Sequence, residues 1–561
     1  MNEEKDCYFK GDFKLGPTFI DEYVVSITNK SILYESKSTK VVHEINLDNV
    51  VGSHVSKSSM DNTMAIKNTI HIISYPFKKR MFSSSLQRCR VEHVFSAAND
   101  GNVENSLETA EKFVRCIKWL LEKPSDGIMI TEYKDNPRQQ QFLIFINPFG
   151  GQGSAKNIFE KNIKPMLDDA NVDFDTKITA HKGHAQEIIE NMNDLKKYDC
   201  IVCCSGDGIV NEVINGLMRH RDWEEVIKIP LGHIPCGSGN GLCAAALHHA
   251  DEPFDLVSSV FNVITGDNLP MDIIKAQTSK QEVRYSFLSI VFGIVSDVDI
   301  ESERFRFIGD LRFSIVAIQK IFSKKVFSGK LWYLPARDDS TMTHLNSDMK
   351  CRKNSLHCQR EDGVVQSEDN ETLNGHQNKA TKSSTEDEKF NDCDVEKSKV
   401  QNGVFSDQRM INESTTTCSP FIHTNLPDFD EEIPETWKLI EDDFVGLLFL
   451  SLSHIGNNVF SAPKATFGDG IIHCMRFHGG MSRTELVKVM TNFPTGEHVN
   501  VNNLSMYEAR AFRLESTSST SDIITMDGER FQWDKLQAEI YKGLARVRCR
   551  LPNKEKCNYL K

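Results

Sequence analysis

No stretch of this sequence is long and apolar enough to cross a membrane as a helix. The longest strongly apolar run, Phe444 to Leu452, is about half of the roughly 20 residues that a spanning helix needs. The segment Met1 to Asp6 lacks the basic and then apolar pattern of a secretory signal, and position 2 is not the glycine that N-myristoylation requires. We therefore expect a cytoplasmic protein with peripheral membrane association.

The sequence also lacks a surplus of positive charge. It has 66 Lys and Arg against 79 Asp and Glu, a formal net charge of -13. Binding to a nucleic-acid backbone needs a basic face, so this balance argues against nucleic acid as a partner. One basic cluster, Lys78-Lys79-Arg80 with Arg88 and Arg90, fits either a site for anionic lipid headgroups or a solvated loop.

A disulfide framework is missing as well. The 15 cysteines are an odd number and are scattered along the chain, which is typical of reduced cytosolic proteins. Cys200 and Cys203 form a CxxC, but their apolar surroundings predict a buried strand. Residues three apart in a strand point to opposite faces and cannot chelate one metal, so we interpret these cysteines as structural.

The length of 561 residues predicts about three folded units. Residues 1–130 combine short alternating strands with one amphipathic helix, which resembles a pleckstrin-homology-like (PH-like) module. Strands and helices alternate over 139–268, which predicts an α/β nucleotide-binding domain with a doubly wound parallel sheet. Residues 269–337 and 431–550 are mainly strand-like and predict an antiparallel β-sandwich.

Residues 338–430 differ from the rest of the chain because they are polar and have few large apolar side chains. Such a segment cannot bury enough surface to offset its ordering entropy, so we interpret it as a disordered insertion. It contains Ser419-Pro420, which is either a target of a regulatory proline-directed protein kinase or a dipeptide common in disordered chains.

Three glycine-bearing turns follow predicted strands of the α/β domain. They are Asn147-Pro148-Phe149-Gly150-Gly151, Ser205-Gly206-Asp207-Gly208 and Gly237-Ser238-Gly239-Asn240. Glycine lets the backbone approach a phosphate, and a following helix supplies unpaired N–H groups at its N-terminus. One such turn alone says little, and the Gly-Lys-Ser/Thr ending of a P-loop is missing. Because the ends of parallel strands converge on one crevice, the three together predict a ligand site.

These motifs resemble the signature of the diacylglycerol kinase catalytic family, which also holds ceramide and sphingosine kinases. Ser205 stands where other branches usually have glycine, which points to the sphingosine branch. The acidic run from Asp297 to Glu303 and the segment from Met526 to Glu529 point the same way. The similarity covers roughly 140–337 and 435–550. Phe149 departs from the pattern, because the family often has a basic residue there.

The resemblance implies an ATP- and Mg²⁺-dependent lipid kinase. It would transfer the γ-phosphate of ATP to the primary hydroxyl of sphingosine or dihydrosphingosine, giving sphingosine 1-phosphate, at a membrane surface. The β-sandwich would bind the lipid, and a homodimer stays open. A ceramide or diacylglycerol kinase is the alternative within the family. A catalytically inactive lipid-binding scaffold is the alternative outside it.

The family's roles can be carried onto matching residues. Asp207 would be the general base that takes the proton of the attacking hydroxyl. Arg306 and Arg312 would pair with the polyphosphate, and Asp527 would also contact magnesium through water. The ATP-binding residues would be Asn147, Pro148, Phe149, Gly150, Gly151, Thr179, Ser205, Gly206, Gly208, Glu212, Gly237, Ser238, Gly239, Arg306, Arg312, Asp527, Gly528 and Glu529.

The lipid head group would lie against Asp299, Asp207 and Ser205. The Asp299 carboxylate would pair with the ammonium of sphingosine, a charge that ceramide and diacylglycerol lack. The alternative for Asp299 is a solvated acidic segment, because acidic residues at every second position from 297 to 303 alternate as one face of a strand would.

Overall fold

The computed structural model describes residues 7–15, 21–59, 66–79, 86–97, 103–122, 138–150, 153–237, 239–302, 316, 319–337, 424, 426–516 and 524–552. Across these ranges, no helix combines the length and the apolar character needed to cross a membrane. The predicted strands and helices of the α/β domain are present, with two additions, a short helix over Trp223–Val226 and a helix over Leu256–Thr265.

The N-terminal part forms a seven-stranded antiparallel sheet in the order β4-β3-β2-β1-β9-β6-β5. Helix α1 packs on it around the buried side chains of Phe13, Phe95 and Phe113, which confirms the predicted strands and amphipathic helix. The elements are β1 (Phe9–Leu15), β2 (Glu22–Ile27), β3 (Ser31–Ser36), β4 (Val42–Asn46), β5 (Val50–Ser59), β6 (Ile66–Ser74), the separate pair β7 (Phe77–Lys79) and β8 (Leu86–Arg88), β9 (Val91–Ala97) and α1 (Val103–Leu121).

The next four strands are parallel, in the order β11-β10-β12-β13, with helices on both faces. They are β10 (Gln141–Ile146), β11 (Asp173–Ile178), β12 (Cys200–Ser205) and β13 (Leu231–Pro235). The helices are α2 (Ala155–Ile158) and α3 (Lys164–Asp169), joined by one π turn, then α4 (His184–Asn191), α5 (Asp207–Arg219), α6 (Trp223–Val226), α7 (Gly241–His249) and α8 (Leu256–Thr265). Cys200 and Cys203 are free and buried in the cores of opposite faces.

The remaining strands extend the same sheet. β23 pairs in parallel with β13 at Leu231 and Val547, and antiparallel with β14 and β20, so the α/β part and the strand-rich part share one 14-stranded sheet. The elements are β14 (Asp267–Thr278), β15 (Val283–Ser286), β16 (Ser289–Gly293), α9 (Ile294–Ser302), β17 (Phe327–Pro335), β18 (Lys438–Leu450), β19 (Ile472–His478), α10 (Arg483–Asn492), β20 (Leu504–Ser516), β21 (Ile524–Met526), β22 (Glu529–Phe531) and β23 (Lys535–Cys549).

Most of the predicted insertion, 338–423, lies outside the described residues, and so does the Ser419-Pro420 dipeptide. Its predicted end at 430 is wrong. The buried Arg513 donates hydrogen bonds to the carbonyl oxygens of Pro427 (2.8 Å) and Asp428 (3.0 Å), so this end of the segment packs on β20. The side chains of this polar stretch do not predict the contact, because the contact is made through backbone carbonyl oxygens.

The N-terminal sheet contacts the α/β part through Asp169 at the end of α3. The Tyr75 hydroxyl donates to this carboxylate at 2.7 Å, and the Arg90 guanidinium donates to both of its oxygens at 2.8 and 2.9 Å. Arg88 is buried in an ion pair. The interpretation of Arg88 as part of a lipid-binding or solvated basic cluster is therefore wrong, because Arg88 is buried, whereas Arg90 is 44% exposed beside its ion pair with Asp169.

Candidate active site

The turns after β12 and β13 lie against each other at the carboxyl edge of the parallel strands. The Cys236 N–H donates to the Ser205 carbonyl at 3.0 Å, and the Asp207 N–H donates to the Gly239 carbonyl at 3.1 Å. A Cβ atom on Gly237 would lie 2.5 Å from the N and Cα of Gly206. Only glycine at position 237 permits this approach of two backbones.

The turn after β10 completes the crevice. The Asn147 side chain accepts a hydrogen bond from the Phe149 N–H at 3.0 Å, and the Gly150 N–H donates to the Asn147 carbonyl at 3.1 Å. A Cβ atom on Gly150 would lie 3.2 Å from the Cys236 carbonyl oxygen, so this turn also reaches the turn after β13. Phe149 is 70% exposed, which leaves its ring free of the core.

Asp207 is the first residue of α5, and its carboxylate is 8% exposed. One carboxylate oxygen accepts the Gly241 N–H at 2.7 Å and the other accepts the Leu242 N–H at 3.2 Å. These donors belong to the first turn of α7, where the helix dipole favours negative charge. The carboxylate is therefore held in one place at the meeting point of the three turns.

His233 on β13 is a residue of this site that the sequence analysis missed. Its Nε2 donates to the Ser205 carbonyl at 3.0 Å, and its Nδ1 lies 3.6 Å from Asp207 Oδ1. Complete burial lowers the pKa of His233, although Asp207 acts in the opposite direction. The one signal in the sequence is a histidine inside the apolar run from Ile229 to Ile234.

The hydroxyl of Ser205, predicted to contact both nucleotide and lipid, forms a hydrogen bond with the neighbouring backbone. Its Oγ donates to the Gly206 carbonyl at 2.8 Å, and the residue is buried.

Glu212 holds the loop that follows β11. Its carboxylate accepts the Gly183 N–H at 2.8 Å and the Ala185 N–H at 3.1 Å, and thereby caps α4. Burial raises the pKa of Glu212, and these two hydrogen bonds partly oppose the shift. The loop starts at the buried Thr179, and its Lys182 forms an ion pair with Glu529 from β22.

Asp527 is buried with its carboxylate fully engaged. It accepts hydrogen bonds from the Ser286 hydroxyl (2.6 Å), from the Asn211 amide (2.7 Å) and from three backbone N–H groups of the turn between β15 and β16, those of Phe287, Leu288 and Ser289. Burial raises the pKa of Asp527, and the hydrogen bonds act against that rise. The predicted magnesium contact of Asp527 does not fit, because five donors already surround its two oxygens.

Asn211 and Asn215 are further residues that the prediction left out of the site. The Asn215 amide exchanges hydrogen bonds with the backbone of Tyr285 (2.9 and 3.1 Å), and Asn211 reaches Asp527. Two asparagines four residues apart on an otherwise apolar helix face were the available signal, because they lie on one side of α5. They fix the strand-rich part of the chain to α5.

Beside the first turn of α5, Gly208 faces Glu529: a Cβ atom there would lie 3.8 Å from the Glu529 carboxylate. Gly528 has a left-handed φ of 83°. Four predicted site residues, Gly151, Ser238, Arg306 and Arg312, lie outside the described residues.

The backbone of Asp299 lies on α9. The interpretation of residues 297–303 as alternating along a strand is therefore wrong for 297–302, which are helical. Within the part of the chain that the structure describes, no three His, Cys, Asp or Glu side chains are grouped to hold a metal ion. Mg²⁺ needs no such group when phosphate oxygens and waters complete its coordination.

Comparison with known proteins finds several that are similar to this chain. Residues 141–276 match the diacylglycerol kinase catalytic domain. Over 517 residues the chain is 29% identical to sphingosine kinase 2 of Homo sapiens, and the matched region covers 82% of this chain and 78% of the human protein. It is 28% identical over 429 residues to sphingosine kinase 1 of Arabidopsis thaliana, covering 73% and 75% of the two chains. It is 27% identical over 413 residues to human sphingosine kinase 1, covering 72% and 90%.

Proposed function

We propose that this chain, whose residues 141–276 belong to the diacylglycerol kinase catalytic family, is an ATP-dependent lipid kinase that phosphorylates sphingoid bases. It transfers the γ-phosphate of ATP to the primary hydroxyl of sphingosine or dihydrosphingosine and forms sphingosine 1-phosphate. The observation that carries this proposal is the carboxylate of Asp207, fixed among three glycine-bearing turns in a chain that is similar to sphingosine kinases over 72–82% of its length.

Asp207 is the general base of the proposed reaction. Its carboxylate takes the proton of the lipid hydroxyl while that oxygen forms a bond to the γ-phosphorus and the bond to the leaving ADP breaks. Because Gly241 and Leu242 hold both carboxylate oxygens, the base needs no reorganisation when the substrate arrives. Gly208, directly after Asp207, has no side chain to fill the crevice, whereas Gly206 packs against the turn after β13.

The residues around Asp207 fit the polyphosphate of ATP. The turns at Asn147 to Gly150 and at Gly237 to Gly239 bring backbone close to the first turn of α5, whose N-terminus favours anions. Lys182 lies at the same edge, and Arg306 and Arg312 are proposed to add positive charge. Thr179, Glu212, Gly528 and Glu529 shape the side of the crevice nearest α4, where Glu212 acts by holding the loop rather than by contacting the nucleotide.

Magnesium belongs to this proposal as a partner of ATP. When bound, it would offset the charge of the phosphate oxygens during transfer. Asp207 and Glu529 gather negative charge at the crevice, which favours a divalent cation beside a nucleotide there. Asp527 supports the site differently, because its carboxylate fastens the turn between β15 and β16 to α5.

Substrate choice is proposed to depend on Asp299. A carboxylate at this position on α9 would pair with the ammonium of a sphingoid base, which ceramide and diacylglycerol do not carry. The antiparallel strands that follow β13 are proposed to form the lipid-binding β-sandwich. The alternatives of a ceramide or diacylglycerol kinase and of an inactive scaffold are less favoured, because the similar proteins are named sphingosine kinases and Asp207 is held among the glycine-bearing turns.

The cellular setting is part of the proposal. A cytoplasmic enzyme that meets its lipid by peripheral membrane association fits a long-chain substrate. The antiparallel sheet and helix of residues 1–130 are proposed to be a PH-like module, and Ser419 to be a target of a regulatory protein kinase. A homodimer is a further proposal, tested by the mass of the purified protein in solution.

To test the proposed function, the purified protein is incubated with radiolabelled ATP and with one of three lipids in mixed micelles. The lipids are sphingosine, ceramide and diacylglycerol. We expect label in sphingosine 1-phosphate and little in the other two products. Preferred labelling of ceramide or diacylglycerol would move the protein to another branch of the family. Absence of label in all three, with a protein that unfolds cooperatively, would favour the scaffold.

A further inference from the structure

His233 places an unpartnered nitrogen beside the proposed general base. Its ring is buried, with the side chain 1% exposed, and its Nε2 donates to the Ser205 carbonyl. A neutral imidazole that donates from Nε2 carries a lone pair on Nδ1. That Nδ1 has no hydrogen-bond partner within the described structure and lies 3.6 Å from Asp207 Oδ1.

In the resting state this arrangement is unfavourable. Nδ1 and the carboxylate oxygen are both acceptors, and burial leaves Nδ1 unsatisfied, which native proteins usually avoid. One proton changes the relationship. If Asp207 carries a proton on Oδ1, the resulting O–H points to a waiting acceptor. Oδ1 is also the more weakly engaged carboxylate oxygen, since its bond from Leu242 is 3.2 Å long and that of Oδ2 from Gly241 is 2.7 Å.

We propose that His233 is a positioning residue that stabilises the protonated Asp207 formed during phosphoryl transfer. The inference rests on the proposed function. The O–H bond of the lipid hydroxyl breaks, its oxygen bonds to the γ-phosphorus as the bond to ADP breaks, and its proton passes to Asp207. The proton ends on Oδ1 in a hydrogen bond to His233 Nδ1, and leaves the carboxyl after the products depart.

The protonation state of His233 sets the direction of the effect. The groups around the ring are Asp207 on α5, the Ser205 carbonyl on β12, and α7, whose Cys243 thiol is electrostatically coupled to Asp207. Burial raises the pKa of Cys243 and lowers that of His233, so both are neutral near pH 7. A neutral His233 favours the protonated carboxyl, whereas an imidazolium would favour the carboxylate.

The test uses His233→Phe and His233→Gln. Phe removes both ring nitrogens, and Gln can keep a donor to Ser205 while its one acceptor, Oε1, is displaced from the position of Nδ1. The Ser205 carbonyl keeps its hydrogen bond from the Cys236 N–H in either variant, so the strand end stays satisfied. If the Phe variant does not unfold cooperatively, the Gln variant carries the test.

We expect kcat for sphingosine to fall on the order of 10-fold in both variants, the usual effect of one lost hydrogen bond to a group that changes charge. KM for ATP and for sphingosine should change less than about twofold, because the His233 side chain is only 1% exposed. The acid limb of the kcat–pH profile should move to lower pH, by up to about one unit, because the protonated carboxyl loses its partner.

The matched control is His498→Phe. His498 is equally buried and its Nε2 donates to the Ser461 carbonyl at 3.0 Å, but it lies in the 497–500 turn of the strand-rich part. The control should leave the pH profile unchanged. Unchanged kcat and acid limb in both His233 variants of an active enzyme would overturn the inference, and so would a limb that moves to higher pH. An inactive wild type would overturn the proposed function itself, and this inference with it.

Discussion

Arg88 and Glu252 form a two-point ion pair inside the protein, although 164 residues separate them in the sequence. The guanidinium donates from Nε at 2.9 Å and from Nη2 at 2.5 Å, and the two side chains are 0% and 1% exposed. A third donor, Nη1, reaches the Tyr75 carbonyl at 2.6 Å, and the guanidinium lies 3.7 Å from the centre of the Phe261 ring. The pair fixes β8 to the segment after α7.

Removing one partner of this ion pair should lower the free energy of unfolding. In Arg88→Ala the Glu252 carboxylate stays buried without its counter-charge, which typically costs about 3 to 5 kcal/mol. The measurement is the free energy of unfolding in urea. Lys112→Ala is the matched control, because Lys112 pairs with Glu108 on the exposed face of α1 and should lose less than about 0.5 kcal/mol. Equal stability of the two variants would show that the N-terminal sheet does not depend on Arg88.

Asp527 should contribute mainly to the stability of the fold. Asp527→Ala leaves five donors without their acceptor, and each buried unsatisfied group costs about 1 to 3 kcal/mol. We expect a large fall in the melting temperature together with loss of activity. Asp534→Ala is the control, because Asp534 lies at the protein surface, where it accepts from the Ser279 hydroxyl and from the Lys535 N–H. A variant that melts like the wild type but needs more magnesium would restore a direct metal role.

His454 should make the fold sensitive to acid. Burial lowers the pKa of His454 to about 4, and the nearby His248 contributes in the same direction. An unfolded histidine titrates near 6.5, so between about pH 6.5 and 4 the unfolded chain takes up a proton that the folded protein does not. The free energy of unfolding should therefore fall as the pH drops through this window.

His454→Phe should flatten that fall, because the ring still stacks on Phe460 but no longer titrates. The pKa of other histidines, such as the half-buried His249, shifts in the same direction, so part of the slope should stay. Urea unfolding at pH 7, 6 and 5 measures how steeply the free energy of unfolding falls with pH. His181→Gln, at an exposed position, should keep the wild-type slope. A slope that His454→Phe leaves unaltered would contradict the assignment.

Substrate choice is open to a direct test at Asp299. Asp299→Asn should raise KM for sphingosine about 10- to 150-fold, the value of a lost charge-assisted hydrogen bond, and change KM for ATP much less. Asp297→Asn is a matched control on the same helix, because Asp297 faces Lys320 at 3.4 Å. Similar KM values for sphingosine in the wild type and the Asp299 variant would remove Asp299 from the lipid site.

The sequence was sufficient where local pattern decides the structure. Apolar strands ending in glycine turns predicted a parallel sheet over β10 to β13 and the meeting of three of its turns, because parallel strands bring their carboxyl ends together. The helix at 294–302 was missed because acidic residues at alternate positions imitate a strand, whereas Ile294 and Val298 share one helix face.

Pairings between distant residues could not be read from local pattern. The Arg88–Glu252 ion pair, the five hydrogen bonds to Asp527 and the approach of His233 to Asp207 depend on how remote segments pack. Asp207 and Glu212 were assigned to substrates by family resemblance. The structure adds that each also caps a neighbouring helix, which only the spatial order of the strands reveals.

The most direct test of the central claim is the rate of sphingosine phosphorylation by Asp207→Asn. The change keeps the shape of the side chain and removes the proton acceptor, so kcat should fall about 100- to 10,000-fold. ATP affinity, measured by calorimetry on the same protein, should stay within a few-fold of wild type, which shows that the turns are still formed. A variant that keeps more than half of the wild-type rate would contradict the account, because the reaction would then proceed without Asp207 as its base.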